Sequence, residues 1–134
     1  MDMITDLPVS KGYDSILAVV DHSLTKGVII IPCNKTLTAD QCTKVLLDNV
    51  YKQFGLMDKI ISDRGPQFAA KSFLELLKLL KIKSTLTTAY HPQSDGATEQ
   101  VNQEIEAYIS IFCTNNPEEW SYMLSTMEFT HNNQ

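Results

Sequence analysis

The expected fold follows from one stretch near the N-terminus, Ser15-Ile16-Leu17-Ala18-Val19-Val20-Asp21. Its apolar run, Ile16 to Val20, is followed by a second run from Val28 to Pro32. Strands that are apolar at every position are buried on both faces, as in the middle of a sheet covered by helices. Both runs are far shorter than the roughly 20 residues that a membrane-spanning helix needs. We therefore predict strands over residues 15–21 and 27–32.

Beyond these strands, the spacing of apolar residues changes between that of strands and that of helices, as it does in a mixed α/β domain. A capping box, Thr38-Ala39-Asp40-Gln41, predicts a helix that runs to Phe54 and stops at Gly55. Phe73, Leu76, Leu77 and Leu80 have the spacing of a buried helical face. The remaining expectations are strands over 1–6, 59–62 and 83–87, a turn over 7–12, a loop over 88–95, a helix over 96–114, and a last helix from Pro117.

The order of these elements predicts how the strands pair. Three strands joined by short turns are expected to be antiparallel, whereas the later strands cross over through helices. The predicted fold class is α/β, with a five-stranded mixed sheet flanked by helices. A length of 134 residues suits a single domain, so residues 1–134 are expected to form one.

Charge and cysteine usage restrict the function. The net charge of −5 argues against non-specific binding of nucleic acid through the whole surface. Cys33, Cys42 and Cys113 include no CxxC pair, so neither a disulfide framework nor a zinc site is predicted. This usage favours a reducing compartment. The acidic N-terminus lacks the residue order of a signal peptide.

Two acidic residues stand at positions suited to chemistry. Asp63 follows a predicted strand, at the carboxyl end where ligands gather in open α/β sheets. Its alternative role is to start a turn. Glu99 lies in the first turns of the long helix, away from the apolar stripe of Ala97, Val101, Ile105, Tyr108, Ile109 and Phe112. The alternative for Glu99 is a solvated helix face near the positive end of the helix dipole.

Asp2 is the third candidate, because an aspartate within an apolar strand needs a partner or a metal if it faces the interior. The alternative is a frayed terminus, and Asp6, Asp14 and Asp21 compete for the same role. Three converging carboxylates could hold two divalent cations, since Mg²⁺ favours oxygen ligands. Two such ions, roughly 4 Å apart, activate a nucleophile and stabilise the leaving oxygen of a phosphodiester.

Three segments resemble retroviral-type integrase catalytic cores, most closely the gypsy-type branch of LTR retrotransposons. Ile61-Ser62-Asp63-Arg64-Gly65-Pro66-Gln67-Phe68 resembles the second-aspartate motif of that family, and Tyr90-His91-Pro92-Gln93-Ser94-Asp95-Gly96-Ala97-Thr98-Glu99-Gln100-Val101-Asn102 its glutamate motif. Between Asp63 and Glu99 lie 35 residues, as in the family's D,D-35-E pattern. Met1 to Pro8, with Gly12-Tyr13-Asp14 and Val19-Val20-Asp21, resembles the first-aspartate region.

The resemblance implies an RNase H-like fold and a magnesium- or manganese-dependent DDE-type polynucleotidyl transferase. Asp2, Asp63 and Glu99 would be the catalytic and metal-binding triad of a two-metal site. The loop from Tyr90 to Gly96 would border the DNA end. The expected DNA contacts are His91, Gln93, Ser94, Asn102 and Gln103.

The implied reaction is DNA integration by two in-line displacements at phosphorus. Water first cuts near the 3′ end of the element DNA, and the new 3′-hydroxyl then attacks target DNA. The resemblance implies a nuclear protein that is cytoplasmic before nuclear entry, has no membrane partner and forms a homodimer or higher oligomer. Family members also carry an N-terminal zinc-binding domain and a C-terminal module, which the 134 residues are not expected to include.

Some features depart from the family pattern and keep alternatives open. Asp21-His22-Ser23-Leu24-Thr25-Lys26 replaces the Asp-Arg-Phe-Ser/Thr-Lys run common in gypsy-type cores, and Gln103 and Glu106 stand where retroviral relatives often have lysines. One alternative is a non-catalytic, domesticated or truncated core that dimerises through Tyr108, Phe112, Trp120, Tyr122 and Phe129, although such aromatics are more often ordinary core. The other is an RNase H-like nuclease that acts on hybrids.

Overall fold

A computed structural model describes residues 1–21, 27–52, 55, 57–86, 96–112 and 115–133, with the backbone alone described at 96–99 and 112. These residues form five strands, five α-helices, a π-helical turn and a 3-10 helix. In chain order the elements are β1 (Asp2–Ile4), β2 (Ser15–Val20), β3 (Val28–Cys33), α1 (Ala39–Leu46) with the π-helical turn Leu47–Tyr51, β4 (Lys59–Ser62), α2 (Pro66–Ala69), α3 (Lys71–Leu79), β5 (Lys83–Leu86), α4 (Gly96–Phe112), the 3-10 helix Pro117–Met123, and α5 (Leu124–Asn132).

The five strands pair as predicted in direction, but they form two sheets. β1, β2 and β3 are antiparallel neighbours, with Asp2 opposite Ala18. β4 and β5 are parallel and are joined through the two helices between them. The prediction of one five-stranded sheet is therefore corrected for the described residues. The ammonium group of Met1 donates to the carbonyl of Ile61 in β4 at 2.9 Å, but one hydrogen bond does not make a ladder.

The described chain divides into two compact units. The three-stranded unit comprises residues 2–35 and 96–134, and the two-stranded unit comprises Met1 and residues 36–95. In the three-stranded unit, α4 packs on β2 and α5 packs on β3. The core between these layers contains Ile4, Ile16, Ala18, Val20, Val28, Ile30, Val101, Ile105, Trp120, Leu124 and Met127.

The two-stranded unit has its own buried side chains on β4 and on helices α1, α2 and α3. Helix α1 packs against α2 and α3. Phe68 of α2 and Phe73 of α3 are both buried, and their ring centroids lie 6.4 Å apart. Other buried side chains of this unit are Cys42, Leu46, Val50, Ile60, Leu77 and Ile82.

Helix α1 shows how local sequence fixes an element. The hydroxyl of Thr38 accepts the N–H of Gln41 at 3.2 Å, and the amide oxygen of Gln41 accepts the N–H of Thr38 at 3.0 Å. These two bonds confirm the predicted capping box. Gly55 has φ +77° and donates its N–H to Tyr51, which fits the predicted stop, while residues 53 and 54 lie outside the described residues.

Several predicted boundaries move for identifiable reasons. β1 ends at Ile4 rather than at residue 6, because Asp6 has φ +62°, which is incompatible with an extended strand. The last helix begins at Pro117 as predicted, but its first turns are 3-10 and the α-helix starts at Leu124. Helix α2 was not predicted. The predicted loop over 88–95 and the end of the helix over 96–114 lie outside the described residues.

The turn over 7–12 is confirmed and is held to the 3-10 helix. Ser10 and Tyr13 exchange two backbone hydrogen bonds around Lys11 and Gly12, which have φ +52° and +82°. The indole N–H of Trp120 donates to the carbonyl of Pro8, and the hydroxyls of Ser10 and Ser121 lie 2.6 Å apart. Trp120 is fully buried, so it belongs to the core rather than to an exposed aromatic face.

Candidate active site

Asp2 lies in a paired strand and its carboxylate is bonded on both oxygens. Its Oδ1 accepts the N–H of Met3 at 2.8 Å. Its Oδ2 accepts the side-chain N–H of Asn102 at 2.6 Å. The side chain is partly buried, as expected for an aspartate near the interior. These contacts orient the carboxylate within the three-stranded unit.

Asn102 lies on α4 and contacts Asp2 through the nitrogen of its side-chain amide. While Nδ2 donates to Asp2, Oδ1 is buried and has no hydrogen-bond partner among the described residues. Glu99 is three positions earlier on the same helix. Positions three apart on an α-helix are neighbours on its surface. The three-stranded unit thus places Asp2 against the helix that carries Glu99.

Asp63 directly follows β4 in the two-stranded unit, as predicted. Its exposed carboxylate accepts the N–H of Gly65 at 2.9 Å, which forms a tight turn before Pro66 starts α2. A Cβ atom at Gly65 would lie 3.1 Å from Oδ1 of Asp63. The absence of a side chain at Gly65 therefore avoids a close contact with the carboxylate of Asp63. The meeting of Asp63 with Asp2 and Glu99 stays a prediction.

The remaining predicted site residues divide into two groups. Gln103 is exposed on α4, next to Asn102. His91, Gln93 and Ser94 lie outside the described residues. The contact of Asn102 with Asp2 escaped sequence reasoning, which assigned Asn102 to DNA. The one signal for it was the spacing of three residues from Glu99 on a helix.

Two of the competing carboxylates have other partners. Asp6 forms an exposed ion pair with Lys35 at 3.1 Å. Asp14 accepts the backbone N–H of Lys35 at 2.8 Å and the hydroxyl of Ser15 at 2.9 Å. These bonds, that of Lys35 first, lower the pKa of Asp14 below its ordinary value. Asp6 and Asp14 thus fasten the loops beside β2 and β3.

The oxygen donors around Asp2 suit a hard divalent cation. Carboxylate and amide oxygens are what Mg²⁺ and Mn²⁺ prefer, and the buried Oδ1 of Asn102 is an acceptor without a donor. Within the side chains that the structure describes, which exclude Glu99, no group of three or more His, Cys, Asp or Glu residues is gathered as a metal site.

No helix in the described part of the chain is long and apolar enough to span a membrane.

Comparison with known sequences identifies relatives over the whole chain. The family model described as integrase core domain matches residues 1–92, a segment that contains Asp2 and Asp63. The chain is 32% identical over 133 residues to the transposon Tf2-3 polyprotein of Schizosaccharomyces pombe, and equally to the Tf2-4 polyprotein. These matches cover 99% of this chain but 10% of each polyprotein, so the chain spans about a tenth of the curated relatives.

Comparison with solved structures supports the RNase H-like fold. The structure of a simian T-cell lymphotropic virus intasome in complex with PP2A regulatory subunit B56 gamma superimposes with a TM-score of 0.75 at 21% identity, over 96% of this chain and 46% of that one. The HTLV-2 integrase catalytic core domain in complex with magnesium gives 0.69 at 18% identity, over 96% and 81%. The BIV integrase catalytic core domain gives 0.68 at 22%, with the same coverage. Together with the matching family model, these likenesses confirm the resemblance first seen in the motifs, and the chain belongs to the integrase core domain family.

Proposed function

We propose that this domain is the catalytic core of a retrotransposon integrase that carries out metal-dependent 3′-end processing and strand transfer of element DNA into target DNA. The observation that carries the proposal is the 2.6 Å hydrogen bond between Asp2 and Asn102. It joins the first acidic residue of the D,D-35-E pattern to the helix that bears the last one. The bond supports the proposal because it brings Asp2 into contact with a helix about 100 positions away in the sequence, and that helix carries the glutamate of the motif.

The three acidic residues of the triad would act together as metal ligands. Asp2, Asp63 and Glu99 would hold two Mg²⁺ or Mn²⁺ ions. When bound, such ions activate the attacking oxygen and stabilise the leaving oxygen of a phosphodiester. The hydrogen bonds to both oxygens of Asp2 fix the direction of its carboxylate before any ion arrives. The turn at Gly65 does the same for Asp63.

The proposed substrate is DNA, both element ends and target. His91, Gln93, Ser94 and Gln103 would contact it through neutral polar or ring nitrogen groups, which suit phosphate oxygens and base edges. Because the net charge is −5, most of the attraction to DNA would come from other parts of a longer polyprotein. The site of action would be the nucleus, after synthesis in the cytoplasm.

A homodimer or higher oligomer is the proposed assembly state. Tyr122 and Phe129 are 61% and 69% exposed, and aromatic side chains are enriched at contacts between protein chains. The same exposure is what favours the second candidate function, a non-catalytic core that acts by dimerising. Activity decides between the two.

The experiment uses the 134-residue chain with a synthetic branched substrate that joins an element end to target DNA, in Mn²⁺. The proposal expects strand transfer or its reversal, even if slow without the rest of the polyprotein. Asp2→Asn, Asp63→Asn and Glu99→Gln should each abolish the reaction, whereas Glu118→Gln, an exposed acidic residue on the 3-10 helix, serves as the matched control. Retained activity in any triad variant rejects the assignment. Cleavage of RNA–DNA hybrids without DNA joining would support the nuclease instead.

A further inference from the structure

Charge is distributed unevenly between the two units of the chain. The two-stranded unit carries eight Lys and Arg against six Asp and Glu, whereas the three-stranded unit carries three against ten. A marked difference in charge between parts of a chain is typical of proteins that bind nucleic acid through one of those parts. The two-stranded unit is therefore the part of the chain in which a surface that attracts phosphate is expected.

Two lysines of this unit lie side by side at the N-terminal ends of β4 and β5. Lys59 is in register with Lys83 in the parallel pair. Because neighbouring strands are about 4.8 Å apart, residues in register place their side chains close together on one face of the sheet. Both lysines are exposed, and so is Lys81, two positions before Lys83. We call Lys59, Lys81 and Lys83 the lysine patch.

The charges of the lysine patch are not neutralised within the described part of the chain. The ion pairs found there include none of the three lysines, and they do not include Asp58, the exposed carboxylate next to Lys59. Like charges directly opposite each other on neighbouring strands are destabilising, so the fold alone does not explain this pairing. Lysine on a strand edge also discourages pairing with other chains, but one lysine would serve that purpose.

The chemistry of the patch favours a phosphate backbone over an acidic protein as its partner. Lysine is depleted at protein–protein interfaces, whereas lysine together with serine and threonine hydroxyls is common at DNA phosphates. Ser84 and Thr85 are exposed directly after Lys83 on β5. Lys59 begins β4 and Asp63 follows its end, so roughly 13 Å of extended strand separates the patch from that carboxylate.

We propose that the lysine patch binds the phosphate backbone of DNA, at a surface separate from the carboxylates of the candidate active site. The inference rests on the proposed function, because that function supplies the DNA that would lie on the patch. Each lysine would neutralise a phosphate group and release the counterion that it held. Such contacts hold DNA in place without reading its sequence.

The test compares two double variants that lose the same amount of charge. One is Lys59→Gln with Lys83→Gln, and the matched control is Lys44→Gln with Lys52→Gln, two exposed lysines of the same unit. Binding of a fluorescent DNA duplex is followed by anisotropy over a series of salt concentrations. For the patch variant we expect the slope of log K against log salt to become shallower by about 2, and the affinity at low salt to fall about tenfold or more. The control should keep the wild-type slope.

Two further measurements separate binding from folding. Lys59→Arg with Lys83→Arg keeps both charges and should bind DNA as the wild type does. Without DNA, the unfolding temperature of the glutamine variant of the patch should equal or exceed that of the wild type, because two neighbouring like charges have been removed. A lower unfolding temperature, or aggregation of this variant, would show that the lysines serve the fold and would overturn the proposal.

The remaining outcomes distinguish this surface from the proposed function. Equal losses of affinity and slope in the patch and control variants would show an effect of net charge alone and overturn the surface. Binding of poly-glutamate as tightly as DNA, lost in the same variant, would make an acidic protein the partner instead of DNA. Strand transfer that persists with identical salt slopes would overturn the surface and leave the proposed function. The expected slopes in a chain that joins no DNA would overturn the proposed function and leave the surface.

Discussion

Asn132 and Val28 exchange two hydrogen bonds that tie helix α5 to the outer edge of β3. The amide oxygen of Asn132 accepts the N–H of Val28 at 2.8 Å, and its nitrogen donates to the carbonyl of Val28 at 3.0 Å. One helical turn earlier, the carboxylate of Glu128 accepts the N–H of Ile30 at 3.1 Å. β3 is an edge strand of its sheet, and unpaired strand edges invite pairing with other chains. Two side chains of a helix thus take the place of a neighbouring strand.

Replacing Asn132 by alanine should destabilise the domain. The change removes both hydrogen bonds between the Asn132 side chain and the backbone of Val28, and leaves the partly buried N–H and carbonyl of Val28 without these partners. The free energy of unfolding should fall by about 1–3 kcal/mol. Urea unfolding measures the loss. Asn133→Ala is the matched control, because that side chain is exposed and bonds only within its own helix among the described contacts. Equal unfolding midpoints for the two variants would show that the edge of β3 does not depend on α5.

Adding one methyl group beside Asp63 should damage activity and spare the fold. In Gly65→Ala the new Cβ meets Oδ1 of Asp63 at 3.1 Å, so the carboxylate or the turn must shift by a few tenths of an ångström. Displacements of about 1 Å at a reacting centre cost on the order of 100-fold in rate, so we expect a loss of about tenfold. Strand-transfer rates measure it. Because Gly65 has a negative φ, alanine fits its backbone conformation, and the unfolding temperature should stay near that of the wild type. An unchanged strand-transfer rate would show that activity does not depend on the exact position of the Asp63 carboxylate.

Local chemistry made part of this fold predictable from sequence. The capping box of Thr38 and Gln41 acts over three residues, so it fixed the start of α1 correctly. The bounds of β4 were also predicted correctly, because a short apolar run ends there at a charged turn residue. In contrast, the four residues of α2 are too few to show a helical period, which is why no helix was predicted there.

The sequence motifs predict the residues of the candidate site, but they do not predict the contacts that the structure shows. The family motifs named Asp2, Asp63 and Glu99 directly. The bond from Asn102 to Asp2 spans 100 positions and arises from packing of α4 on the sheet, which no local pattern reports. The positive φ of Asp6, which shortens β1, was likewise not predicted, and Asp6 contacts Lys35, a residue 29 positions away.

Alkaline pH should weaken the fold through Cys33. This thiol is 3% exposed, and burial first, then the nearby charge of Asp14, raises its pKa from 9.0 to about 12. Above pH 9 the unfolded chain releases a proton that the folded chain keeps, so stability falls by up to about 1.4 kcal/mol per pH unit from this group. Urea unfolding between pH 8 and 10 measures the slope. Cys33→Ala should flatten it, and an identical slope would contradict the assignment.

Acidic pH should also weaken the fold, through Asp14. Because its folded pKa is lowered from 3.8, Asp14 stabilises the native state above that value, and this contribution is lost as pH falls through the folded pKa. Asp14→Asn keeps the shape of the acceptor but not the charge. We expect the variant to be less stable than wild type at pH 7 and to approach it below pH 3. A gap that widens in acid would show that the bonds to Lys35 and Ser15 do not favour the charged form.

The central claim is that Asp2, Asp63 and Glu99 share divalent cations. Metal should relieve the repulsion of these carboxylates in the native state alone, so millimolar Mn²⁺ is expected to raise the unfolding temperature. The most direct measurement is the anomalous scattering of a crystal of the 134-residue chain soaked in Mn²⁺. The account predicts manganese peaks between the three carboxylates, within oxygen-coordination distance of each. A well-ordered site without peaks, or with the carboxylate of Asp63 bound apart from those of Asp2 and Glu99, would contradict it.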